Sequence, residues 1–153
     1  MTDFYSAPQH RFPTPSLRVA ASAGIDDARA TVILAYRSDS SATVLDEAIA
    51  GARREGAALR VVHFGTDTTT APAAGSLSQT KELADSLAEA GLEFEIQRAD
   101  SDVASQIIDL AEAWQAKLIV MASRRRSPLV KLLLGSSTQR VILEAECPVL
   151  IVK

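Results

Sequence analysis

The chain predicts an α/β fold: a five-stranded parallel sheet with helices on both faces. Three observations carry that expectation. Short unbroken runs rich in β-branched residues, such as residues 31–36 (TVILAY) and Leu118–Ala122 (LIVMA), are too short for core helices. They read as strands buried on both faces. Between such runs lie segments of helical length with apolar residues at i, i+3, i+4 and i+7. The two types alternate as β-α-β-α-β-α-β-α-β, which calls for parallel strands joined by crossover helices.

Residues 1–29 come first and fit neither pattern. They carry Pro8, Pro13 and Pro15, then Ala20, Ala21, Ser22, Ala23 and Gly24, with no sustained period of 2 or 3.6. The expectation is a flexible N-terminal extension, with the folded domain over residues 30–153. Truncation at Ala30 should then leave the core intact. The functional alternative is a partner-binding arm that uses Phe4, Tyr5 and Phe12.

After the TVILAY strand, Ser40 or Ser41 is placed to cap a helix running to Arg54, with Leu45, Ala48, Ile49 and Ala52 as its apolar stripe and Gly56 as its stop. Residues 59–64 (LRVVHF) form the second strand. Residues 66–75, rich in Thr, Ala and Pro, form a loop. A helix over residues 76–90 follows, with Leu77, Thr80, Leu83, Ala84 and Leu87 inward and Gly91 ending it. Residues 92–98 alternate and are more polar, so they predict a third strand near a sheet edge. Asp102 caps a third helix with Val103, Ile107, Leu110, Ala111 and Trp114 inward. The chain closes with the LIVMA strand, a turn at Gly135, Ser136 and Ser137, a helix over residues 137–145 and the strand Val149–Val152 (VLIV).

The totals exclude several classes. At 153 residues there is room for one domain with a core. A net charge of −3 gives no general drive toward nucleic acid or an anionic membrane. No apolar run reaches the roughly 18–20 residues that span a bilayer, and no apolar leader segment is visible. Cys147 is the single cysteine, which forbids an intrachain disulfide and suits a cytoplasmic protein. His10, His63 and Cys147 lie far apart and give no metal-ligand spacing.

Several matches in order resemble the universal stress protein family. They are the TVILAY strand; Ala52-Arg53-Arg54-Glu55-Gly56-Ala57; Val61-Val62-His63; Ala116 to Met121 (AKLIVM); Leu132-Leu133-Leu134-Gly135-Ser136; and Cys147-Pro148 leading into the last strand. The resemblance covers nearly everything from Thr31 to Lys153. It implies a Rossmann-like five-stranded α/β fold and a homodimer paired through Val149–Val152. It also implies a comparison with the family's nucleotide-binding branch, which carries G-x-x-G, nine residues, then G-S or G-T; here those glycine positions are Ala122, Arg125 and Gly135, followed by Ser136. That branch places an adenine-binding aspartate just after the first strand, where this chain has Tyr36.

These departures predict weak or absent ATP binding. Glycines in a phosphate loop let the backbone approach the ligand, whereas Ala122 and Arg125 both carry a Cβ. Tyr36 cannot accept the two hydrogen bonds of a carboxylate, and its ring is expected to fill the adenine space. The degenerate site would comprise Tyr36, Ala122, Ser123, Arg125, Arg126, Gly135, Ser136 and Ser137. Arg124, Arg125, Arg126 and Lys131 form a basic cluster, read either as an anion site or as a solvated loop. Ser136 and Ser137 are read first as helix caps. His63 is read as a packed strand residue and Cys147 as an inert, partly buried thiol. No nucleophile elbow, catalytic triad order or Walker motif is present, so no catalytic residue is expected. The expectation is a non-catalytic dimeric stress-response module; the alternative is an adenine-nucleotide-binding regulator using Gly135, Ser136 and the Arg124, Arg125 and Arg126 loop.

Overall fold

The β-branched runs become strands because each buries side chains on both faces. The computed structural model describes residues 17–65, 74–123 and 135–153. Along β2 (Thr31–Arg37), Val32 and Leu34 face one helix layer while Ile33 and Ala35 face the other. The first layer is formed by α1 (Ala42–Glu55) and α2 (Ala74–Glu89), which bury Val44, Ala48 and Ala52, and Leu83 and Leu87, respectively. The second contains α3 (Val103–Trp114) and α4 (Ser136–Glu144), which bury Ile107, Leu110, Ala111 and Val141. The remaining strands are β1 (Arg18–Ala21), β3 (Ala58–Phe64), β4 (Phe94–Arg98), β5 (Leu118–Ala122) and β6 (Val149–Val152).

The strand order is β1-β4-β3-β2-β5-β6. Every pair among β2 to β6 is parallel; β1 alone is antiparallel, to β4. The order reverses between β2 and β5, whose carboxyl ends therefore leave a crevice uncovered by crossovers. Two glycines shape the frame. Gly56 ends α1 in the left-handed region at φ 62°, where a side chain would be strained. Gly51 is buried in α1, and a Cβ there would meet Leu118 Cδ2 at 3.0 Å, so its small size sets how closely α1 approaches β5.

The expectation for residues 1–29 is corrected from Leu17 onward; residues 1–16 lie outside the described residues. Six strands form the sheet, not five, because Arg18–Ala21 pairs with β4. The cause is a charge network that hydropathy patterns do not reveal. Arg60 on β3 and Glu95 on β4 are adjacent in register and 0% exposed, with Arg60 Nη1 donating to Glu95 Oε2 at 2.7 Å. The other two guanidinium nitrogens donate to the Ile25 carbonyl at 3.0 Å and to Thr31 Oγ1 at 3.2 Å. Arg18 donates from Nε to the second Glu95 oxygen at 2.9 Å, and the Arg60 guanidinium lies 3.5 Å from the centre of the Trp114 ring. A buried ion pair is tolerated only when its remaining donors and acceptors are also satisfied. The N-terminal segment supplies two of those partners. Ser22 and Gly24 secure it by donating to the Glu93 carboxylate at 2.6 and 3.0 Å, and Ile25 is buried.

The polarity of β4 has the same origin. Its Glu95 and Gln97 are buried, and β1 covers the edge that the alternation suggested was open. Leu77, expected inward, is 70% exposed: α2 begins at Ala74, and its buried stripe is carried by Leu83 and Leu87. Asp102 caps α3 as expected, accepting from the Ser105 N–H at 3.1 Å.

Breaking a buried pair strands a desolvated charge and costs about 3–5 kcal/mol. Glu95→Ala is therefore expected to lower the melting temperature by roughly 10 °C or more for a chain of this size. Deleting the first 27 residues removes Arg18 and the Ile25 carbonyl and should act in the same direction. Thermal unfolding followed by circular dichroism checks both, and a loss of only one or two degrees in each would refute this account of the N-terminal segment.

Candidate functional site

A cleft of about 130 Å³ opens at the carboxyl ends of β2 and β5, at the switch point. Its floor is formed by Ala35, Met121 and Ala122; its walls include Arg37 and Phe64 on one side, Val103 at the start of α3, and Gly135, Ser136, Ser137 and Thr138 at the start of α4.

The α4 end supplies the cleft's main electrostatic feature. Gly135 is the N-cap in extended conformation, and among the described residues no side chain caps the helix. The first ladder bond of α4 is from Gln139 N–H to the Gly135 carbonyl at 3.0 Å. The amides of the first turn therefore offer donors and the positive end of the helix dipole to the cleft. Ser136 and Ser137 sit within this turn rather than capping it, which corrects their expected role. Arg37 adds a cation, held in a fork by Asp39: its Nε and Nη2 donate to the two carboxylate oxygens at 3.0 and 3.1 Å.

Of the sequence-predicted site residues, Ala122, Gly135, Ser136 and Ser137 meet at this cleft. Ser123 continues the sheet, donating its N–H to the Val152 carbonyl at 2.9 Å. Arg125 and Arg126, like Arg124 and Lys131, lie outside the described residues. Tyr36 is not among the residues lining the cleft. Strand alternation sends it to the opposite face from Ala35 and Arg37, where it packs against the α1 and α2 layer with its ring 5.7 Å from that of His63. The expectation that Tyr36 fills an adenine space in this cleft is therefore corrected. Arg37 was the missed residue, and its signal was parity: it is two residues from Ala35. A carboxylate, Asp39, does follow the strand, but its charge is engaged by Arg37.

His63 is buried on the same face as Tyr36, away from the cleft, as expected for a packed strand residue. Its Nε2 lies 3.4 Å from Ser38 Oγ and its Nδ1 lies 3.3 Å from Thr80 Oγ1. Ser38 Oγ also donates to the Phe64 carbonyl at 3.2 Å. Burial holds His63 below its ordinary value and raises the thiol of half-buried Cys147 above its own. Among the described residues, no group of three or more His, Cys, Asp or Glu side chains is placed to hold a metal ion. No helix among them is long and apolar enough to cross a membrane.

A mostly parallel sheet, helices on both faces and a helix N-terminus at the switch point together define a Rossmann-like α/β protein. The comparisons narrow the class. The model of the universal stress protein family matches residues 29–153, and the chain belongs to that family. Universal stress protein YxiE of Bacillus subtilis is 30% identical over 137 residues, covering 76% of this chain and 93% of its own. A universal stress protein of Methanocaldococcus jannaschii is 37% identical over 78 residues, covering 51% of this chain. The chain spans about half the length of that relative and of one from Mycolicibacterium smegmatis, at 44% and 52%. Among solved structures, a universal stress protein from Archaeoglobus fulgidus superposes with a TM-score of 0.62 at 29% identity, covering 81% of this chain and 98% of that one. A universal stress protein in complex with cAMP superposes with a TM-score of 0.61 at 26% identity, covering 82% and 97%.

The histidine yields a pH prediction. The depressed folded value means that the unfolded chain binds the extra proton first as pH falls through the ordinary histidine value of 6.5. The neutral ring's contribution is complete above that range and declines as the pH drops toward the folded value. His63→Gln should flatten the pH dependence of the melting temperature between about pH 5 and 7. A variant whose slope matches that of the parent would contradict this.

Proposed function

We propose that this chain is a non-catalytic stress-response module. It acts as a homodimer, and its switch-point cleft takes the phosphate part of an anionic ligand while binding ATP weakly. The observation that carries this reading is the uneven equipment of the cleft. The first turn of α4 offers amides that no described side chain caps, beside Arg37, which suits a phosphate group. The adenine side is poor: Tyr36 faces the other way, and Asp39 is paired with Arg37. Ala122 and Arg125 stand where the nucleotide-binding branch has glycine. Each lost hydrogen bond to a charged group is worth about 1.5–3 kcal/mol, so two losses weaken affinity roughly a hundredfold or more.

Isothermal calorimetry with magnesium ATP tests the reading, with inorganic phosphate as the second titrant. The expected ATP dissociation constant is weaker than about 100 μM, and one in the low micromolar range would overturn the reading. Arg37→Ala combined with Ala122→Gly and Arg125→Gly should free Asp39, open the loop and strengthen ATP binding. The second reading is an adenine-nucleotide-binding regulator that uses Gly135, Ser136 and the Arg124, Arg125 and Arg126 loop. It is favoured by the cAMP complex of the structural relative, and tight binding in the same titration would select it.

The homodimer reading rests on β6. This strand ends the sheet order, and Val149, Leu150 and Ile151 are only half-buried. Leu143, 83% exposed, and Ile142 add apolar surface on the preceding helix. An open edge of this kind is satisfied by the same strand of a second copy about a two-fold axis. Sedimentation at tens of micromolar should show a dimer, and Val149→Lys with Ile151→Lys should yield a monomer. A monomeric parent chain, or a dimer unaffected by both lysines, would defeat the assignment.

A further inference from the structure

Two helix N-termini flank the cleft, and the structure treats them differently. At α3, Asp102 fills the end: its carboxylate accepts from the Ser105 N–H at 3.1 Å and from Ser105 Oγ at 2.8 Å. At α4, no side chain among the described residues does so. The Asp102 carboxylate has a second use. Arg140 Nη1 donates to both of its oxygens at 3.1 Å, and Arg140 Nη2 donates to Ser105 Oγ at 2.9 Å. Arg140 Nε is held by Glu144, one turn further along α4, at 3.2 Å.

This network spans the cleft walls. Asp102 immediately precedes Val103 of one wall, and Arg140 lies one turn beyond Ser136 of the other. From the second turn of α4, Arg140 crosses to the start of α3, where it meets Asp102 and Ser105. Beneath it, α4 contributes a single buried residue, Val141, to the core. A nine-residue helix anchored by one buried side chain is weakly fixed by packing alone. The polar tie to α3 therefore has a specific task left to do.

We infer that Arg140 and Asp102 are positioning residues of the cleft. They fix the α4 first turn against α3, so that its amides converge on one bound anion. This inference deepens the anion-site reading and rests on it. Arg140 is not itself assigned to the ligand, because Asp102 and Glu144 already engage its charge. Hydrogen-bond donors hold an anion well only when they are preorganised, since ordering them on binding subtracts from affinity. Exposed ion pairs contribute little to global stability, so the effect should appear in binding rather than in melting temperature.

The test combines phosphate titration with amide hydrogen exchange at Gln139, whose N–H bonds to the Gly135 carbonyl and so reports opening of the α4 first turn. Arg140→Gln is expected to weaken inorganic phosphate binding roughly fivefold. It should also speed exchange at Gln139 while leaving the melting temperature within a few degrees of the parent. Arg140→Lys retains the charge toward Asp102 and should restore most of both. Asp102→Asn retains an N-cap acceptor and should reproduce the Arg140→Gln phenotype. Unchanged affinity and exchange in Arg140→Gln would overturn the inference. So would an affinity loss that merely tracks a large fall in melting temperature, or one that Arg140→Lys fails to rescue. If the parent chain binds no phosphate while exchange still responds to Arg140→Gln, the tie between α3 and α4 stands and the anion-site reading falls.

Discussion

The fold depends on one buried ion pair. Arg60 and Glu95 sit side by side on β3 and β4 with no exposure, a position that hydrophobic residues could fill without desolvating two charges. Retaining the pair obliges the chain to bring partners to it. The Ile25 carbonyl, Thr31, Arg18 and the face of Trp114 all converge there, from four separate parts of the sequence. The short 3₁₀ turn Ile25–Asp27, the extra strand and the placement of Trp114 on α3 follow from that single requirement. Burial pushes the Arg60 guanidinium below its ordinary value, and the Glu95 contact opposes this. The N-terminal segment is thus a structural component of the pair's enclosure.

The sequence made some of this legible and hid the rest for physical reasons. The central strands could be read because burial on both faces leaves a continuous apolar run, as in Val32, Ile33 and Leu34. Asp102 could be read as a cap because a carboxylate ahead of an apolar stripe has few other local uses. Strand β1 could not be read in this way. Four residues, Arg-Val-Ala-Ala, carry little pattern, and their attachment is made by a salt bridge to a residue 77 positions away. Arg60 looked like a polar interruption of the LRVVHF strand, and only its register against Glu95 shows its purpose. The site was half legible for a similar reason. Gly135 and Ser136 are local turn chemistry. Which of Tyr36 and Arg37 faces the cleft is a matter of parity, and an assignment one position off reverses the answer.

The sheet therefore has two ends with opposite electrostatic strategies. Toward the amino ends of the parallel strands, charge is enclosed and fully paired within the protein. At the carboxyl ends, no side chain among the described residues caps the first turn of α4, which faces the cleft, and Arg37 is held in place by Asp39. Rigidity at one end supports availability at the other, because β2 and β3 pass directly from the region of Thr31 and Arg60 to Arg37 and Phe64. The family relationship fits this division, since the matched region includes the whole path from β2 to β6.

The antiparallel strand has a consequence for how many copies can join. A parallel sheet with two bare edges could extend indefinitely, each copy templating the next along the hydrogen-bonding direction. Here β4 is already covered, and its cover is a poor template: β1 is four residues long and has a register irregularity between Arg18 and Ala20. Among the described residues, growth through strand pairing is left with a single competent edge, at β6. Were two such edges to meet in the proposed dimer, no edge of that kind would remain, so the same residues that enclose a buried charge would also limit assembly and keep an apolar sheet from becoming a fibre.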